Sequence, residues 1–197
     1  MKSRLGFVML FAVALILFLL AGNMTPTAAG ASPRIRWDTT SLTFPNGVPT
    51  INPGGSDFAL AADHTTIQIS GHGTFTVAGA PVTGGGVWAT SGPSGTASGH
   101  FIVFGLLKFD VAPGSLPPGF VDNIGDPANA HSGLAILRVG YEDGSQGILV
   151  VSCDLPVGSP SGLFEGVTAT KGFVAFHERV PPVPGLDANR NIFHVVP

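Results

Sequence analysis

Residues 134–153 read LAILRVGYEDGSQGILVVSC: two apolar runs, Leu134–Tyr141 and Gln146–Cys153, flank Glu142-Asp143-Gly144-Ser145. An Asp-Gly pair between apolar runs is a strong hairpin signal, because a type I′ turn takes positive φ at both central residues. With Asp143-Gly144 at the tip, Tyr141 is expected to face Gln146, Val139 to face Ile148 and Leu137 to face Val150. The opposite face would carry Ile136, Arg138, Leu149, Val151 and Cys153. Both faces are largely apolar, so neither is expected to be freely solvated.

Arg138 stands out on this hairpin. It lies mid-strand in a chain with only nine basic residues. On a buried face an arginine must be paired or must meet a ligand. Glu142, Glu165 and Asp154 are the expected structural partners; the alternative is a ligand site for a carboxylate or another polar group.

Outward from the hairpin the chain reads as further β-structure. His100–Val111 is the longest apolar strand candidate. Thr65–Ser70 and Thr74–Ala78 suit strands separated by a Gly71-His72-Gly73 break. Val87-Trp88-Ala89 makes a short strand between Gly84-Gly85-Gly86 and Ser91-Gly92. Val167–Glu178 offers a strand pair interrupted at Lys171-Gly172, and Asn191–Val196 a final edge strand. Residues 33–63 read as loop-rich, with one short extended piece near Ile35–Phe44. Residues 112–131 read as a long loop. No helix is predicted in residues 32–197. The expected fold is therefore all-β, a single-domain antiparallel β-barrel or β-sandwich.

The N-terminus carries a separate message. Lys2 and Arg4 precede an apolar run from Leu5 to Gly22, and Ala29-Gly30-Ala31 offers a small-residue cleavage site. These are the three parts of a signal peptide spanning residues 1–31, with an uncleaved membrane anchor as the alternative. The sequence thus predicts a secreted protein, extracellular or periplasmic, that meets a membrane only if the segment is retained. Without Lys2 and Arg4 the chain has seven basic residues against twelve acidic ones. No basic cluster exists, so nucleic acid is not an expected partner. The single cysteine, Cys153, rules out a disulfide framework and is expected to be buried.

No specific catalytic motif stands in the chain. The six histidines do not pair at i, i+2 on a strand, so no metal site is expected. Asp187-Ala188-Asn189-Arg190-Asn191 matches the opening of a calcium loop but Ile192 replaces its glycine. That stretch and Asp122–Asp126 are read as Asx turns. Gly158-Ser159-Pro160-Ser161-Gly162 has proline where a nucleophile would stand. The leading expectation is a non-enzymatic binding or structural protein without a cofactor. Its two-sided apolar strands would pack a pocket for a small apolar ligand or form a homo-oligomer interface. The alternative is a small barrel enzyme, an isomerase or hydrolase acting on a small apolar molecule, with His100 or His177 and a carboxylate moving the proton. Arg138, His100 and His177 are the candidate ligand-binding residues.

Overall fold

Glycine placement decides how closely the strands approach. The structure, a computed structural model, describes residues 32–180 and 187–197. The expected signal segment lies outside the described residues, as does Pro181-Pro182-Val183-Pro184-Gly185, whose prolines read as a break between strands. Twelve strands are present among them: β1 (Arg34–Thr43), β2 (Thr50–Pro53), β3 (Asp57–Ala61), β4 (Thr66–Thr76), β5 (Val82–Gly92) and β6 (Gly95–Ala112). They continue with β7 (Val121–Asp122), β8 (Ala130–Tyr141), β9 (Gln146–Cys153), β10 (Gly166–Lys171), β11 (Val174–Arg179) and β12 (Asn191–Val196). Two 3-10 turns, Pro45–Gly47 and Pro127–Asn129, complete the elements. Among the described residues no helix is long and apolar enough to cross a membrane.

The strands form one sheet in the order β6-β5-β4-β3-β11-β10-β9-β8-β12-β1-β2-β7. Two further pairings, β6 with β8 and β4 with β1, turn this order back on itself. One circuit of pairing runs β6-β5-β4-β3-β11-β10-β9-β8 and a shorter one runs β6-β5-β4-β1-β12-β8. The pairing is antiparallel except where β2 meets β7 in parallel, Thr50 opposite Val121 and Ile51 opposite Asp122.

The alternation of β8 sets the two faces. Ala135, Leu137, Val139 and Tyr141 are buried, as are Leu149, Val151 and Cys153 of β9. These meet Trp37, Phe75, Phe101, Phe176 and Phe193 in the core. Each such aromatic or aliphatic side chain contributes about 1.5–3 kcal/mol on burial, so packing alone can hold a chain without disulfides.

The hairpin register differs by one residue from the expected one. Leu137 faces Leu149 and Arg138 faces Ile148. The Tyr141 amide donates to the Ser145 carbonyl at 2.8 Å, and Gly144 alone in the loop has positive φ, at 86°. The connection is therefore a three-residue loop closed by a left-handed glycine, not a two-residue type I′ turn. A one-residue slip moves one strand's side chains to the other face relative to its neighbour. Leu149, Val151 and Cys153 thus share the inner face with Leu137, and Arg138 is outside.

Other expectations are also corrected. Residues 33–63, read as loop-rich, contain β1, β2 and β3. The expected break at Gly71-His72-Gly73 is continuous β4, where Gly71 and Gly73 pair with Gly86 and Gly84 of β5. A β-carbon on Gly73 would lie 2.4 Å from the Thr83 carbonyl oxygen and 2.7 Å from Trp37 Nε1. The bare backbone there admits the Trp37 indole, which is why glycines stand inside a strand. Finally, β12 is not an edge: it pairs with β1 on one side and with β8 at Ala130 and His131 on the other.

Candidate functional site

Three connections meet beside the buried start of β12. A cavity of about 160 Å³ lies between the β1–β2 arm, the loop before β7 and the segment joining β9 to β10. Leu42, Ile51, Leu116, Phe120, Leu155 and Pro156 supply its apolar wall; Thr40, Asp154, Glu165, Arg190 and Asn191 supply its polar side. An apolar wall with a few convergent polar groups is the usual make-up of a small-molecule site.

Glu165 sits just before β10. Its carboxylate accepts from the backbone amides of Asp154 and Asn191. It is half-buried, lining the cavity while protein packs its other sides. The loss of hydration pushes its carboxyl up to about 8; the two backbone hydrogen bonds oppose this shift without cancelling it. The neutral form of Glu165 is therefore favoured near neutral pH.

Asp57, at the start of β3, is fully buried on the far side of Asn191. Its Oδ2 accepts from Asn191 Nδ2 at 2.6 Å and its Oδ1 from the Arg190 amide at 2.9 Å. Burial raises its carboxyl to about 7 against those hydrogen bonds. Asn191 thus bridges two carboxyl groups, one through its amide and one through its side chain. Its own Oδ1 is buried and meets no donor among the described residues. A buried acceptor left unmatched costs about 1–3 kcal/mol, so a ligand or solvent donor there would be stabilising.

The stretch that resembles a calcium loop serves this region through hydrogen bonds. Asn189, at φ 57°, accepts from the Phe58 amide at 2.7 Å, and Asp187 accepts from Arg190 Nε at 2.6 Å. Among the described residues no three His, Cys, Asp or Glu side chains are grouped to hold a metal ion.

A second buried polar group ties down the loop after β7. His194 Nε2 and Asp122 Oδ2 are 2.8 Å apart, both almost fully enclosed. Asp122 also accepts from the amides of Ile124 and Gly125 at 2.8 and 3.2 Å. Burial would raise its carboxyl, but the His194 ring and these amides outweigh burial and hold it below the ordinary value. On neighbouring β1, Arg36 forms two hydrogen bonds with buried Asp38, at 2.7 and 2.8 Å.

The residues singled out by sequence lie elsewhere. Arg138, expected to be buried and paired, is exposed, and no carboxylate pairs with it among the described residues. His177 is exposed on β11 beside exposed Glu178 and Arg179. His100 does meet a carboxylate: its Nδ1 lies 3.0 Å from Glu142 Oε2, which also accepts from the His100 amide at 2.9 Å. Those backbone and ring hydrogen bonds hold the Glu142 carboxyl below its ordinary range. This pair is wet, with side-chain exposures of 76% and 63%, and lines a shallow open groove that includes neither Arg138 nor His177. Cys153 is fully buried, and burial raises its thiol well above the ordinary value, so it is not a nucleophile.

Sequence reasoning named Glu165 only as a partner for Arg138, read Asn191 only as part of an Asx-turn stretch and the start of the last strand, and passed over Asp57. The one available signal was the density of Asp and Asn around 187–191. No family model, no curated protein and no solved structure matches this chain.

Proposed function

We propose that this chain is a secreted, closed β-barrel protein that binds one small, largely apolar, neutral molecule beside Glu165. The barrel reading rests on the two pairing circuits through β6 and β8. Export rests on the composition of residues 1–31. The observation that carries the binding reading is the Glu165 carboxyl, raised to about 8 by burial, set among a few polar groups against the apolar wall of the cavity. A neutral carboxyl donates a hydrogen bond, which selects a ligand with an acceptor such as a carbonyl oxygen. An apolar cavity of about 150 Å³ accepts benzene, so a ligand of about six to ten heavy atoms suits this one.

Cyclohexanone, with methylcyclohexane as its shape-matched hydrocarbon, tests the reading by chemical-shift titration at pH 6. The ketone should bind about tenfold more tightly, perturbing Leu116, Phe120 and Asn191. That preference corresponds to about 1.4 kcal/mol, the scale of one good hydrogen bond. It should fade above pH 8 as Glu165 ionises, survive in Glu165→Gln and vanish in Glu165→Leu. Equal binding of both probes, or a preference indifferent to Glu165→Leu, would remove the carboxyl from the site.

One observation favours a second reading, an isomerase. A carboxyl raised to about 8 lines the cavity and a second, raised to about 7, lies behind Asn191, which hydrogen-bonds to both; such values suit groups that give and take protons near neutral pH. Deuterium exchange at the ketone's α-carbons, catalysed by the protein and lost in Glu165→Gln, would select the enzyme over the binding protein.

A further inference from the structure

We propose that the outer face of β6 and β8 is a two-fold interface with a second copy of this chain, in which Arg138 of each copy pairs with Glu142 of the other. Three observations on one face lead there.

First, the face is apolar where solvent should favour polar groups. Val87 of β5 and Ile102 and Phe104 of β6 are 48%, 63% and 47% exposed. Half-buried Ile136, Ile148 and Val150 continue the same outer face across β8 and β9. Contiguous apolar surface of this kind marks an interaction site.

Second, two charged groups on it have pairing capacity to spare. Arg138 lays its stem over Gly105 and has no carboxylate partner among the described residues. Glu142 uses only Oε2, for His100, and its Oε1 accepts from no described residue. The two sit four positions apart along the same strand line, roughly 13 Å at the usual rise per residue. The structure leaves them apart within one chain.

Third, their spacing suits a two-fold axis. Gly140 lies midway between them and faces outward with Arg138. A rotation of 180° about an axis that passes over Gly140, parallel to the sheet and across the strands, sets Arg138 of the second copy opposite Glu142 of the first and the reverse. Two ion pairs form at once, as an isologous interface requires. Glycine at the axis presents no side chain there, and the nearest atoms to a β-carbon would be Phe104 Cε1 at 3.7 Å and Ile102 Cγ1 at 3.8 Å. The second copy can therefore approach closely over Ile102 and Phe104. A lone cation and a half-used carboxylate give the face its self-complementarity, which sets register more than raw affinity.

Sedimentation equilibrium of the protein produced from the full chain tests this, with circular dichroism confirming that each variant keeps the wild-type fold. The wild type should be a dimer. Arg138→Glu and Glu142→Arg should each weaken it at least tenfold, and the double exchange R138E/E142R should restore most of that loss. Phe104→Asp should give a monomer. A wild-type monomer at the highest soluble concentration would overturn the proposal. So would a dimer indifferent to the single reversals, or a double exchange no better than either one.

Discussion

Arg138 shows how much one backbone torsion controls. With Gly144 the only left-handed residue of its loop, the β9 side chains move by one position and the arginine leaves the core. An exposed arginine carries little of the fold. Arg138→Met should change unfolding free energy by no more than about 0.5 kcal/mol when measured at dilution sufficient for single copies. A buried pair would have lost about 3–5 kcal/mol. Urea denaturation distinguishes the two, and a loss on the larger scale would return Arg138 to the interior. The apolar content of both runs was legible in sequence. The turn type was not, because Asp-Gly serves both a type I′ turn and a type I turn followed by a left-handed glycine. Glu165, Asp57 and Asn191 were illegible for another reason. The Asn191–Asp57 hydrogen bond joins residues 134 positions apart, so no local spacing announces it.

Among the elements, legibility followed strand length and punctuation. β8 and β9 carry long apolar runs about a clear turn, and β10 and β11 are β-branched or apolar at their starts with Lys171-Gly172 and Phe173 between them. β2 and β3 are four and five residues long and hidden among Pro45, Asn46-Gly47 and Asn52-Pro53-Gly54-Gly55. β3 also buries Asp57 alongside Ala59 and Ala61, so its inward face does not read as apolar. β4 was divided in the reading because glycine usually ends strands; here the Trp37 indole demands it. Gly73→Ala should destabilise by about 1–3 kcal/mol, since Thr83 backbone or the fully buried Trp37 must shift. Gly162→Ala, with nothing within 4 Å of a new β-carbon, should stay within about 0.5 kcal/mol. Equal urea midpoints for the two variants would show that the β4–β5 approach is looser than described.

At the scale of the whole molecule, the two buried carboxyls raised furthest dominate the response to pH across the neutral range. Asp57 and Glu165 have folded-state values raised to about 7 and about 8, above their ordinary 3.8 and 4.5. Groups raised on folding add stability that is complete below the unfolded value and lost as pH climbs through the folded one. Asp122, lowered on folding, acts oppositely, but only in acid as pH falls below its ordinary 3.8. Melting temperature should therefore fall between pH 5 and pH 9. Asp57→Asn with Glu165→Gln should flatten that decline. A melting temperature that rises across this range in the wild type would show both groups to be ionised in the fold. The pairing circuits bear on time as well as on equilibrium. Of the twelve strands only β7, two residues long, has a side to which no described strand is bonded. The longest strand, β6, is nonetheless laddered on one flank at a time, to β5 up to Ile102 and to β8 from Phe101, so opening can start there by breaking a single ladder. A protease that needs an opened segment would therefore meet β6 first, and its cutting would report that local opening, not unfolding of the whole chain.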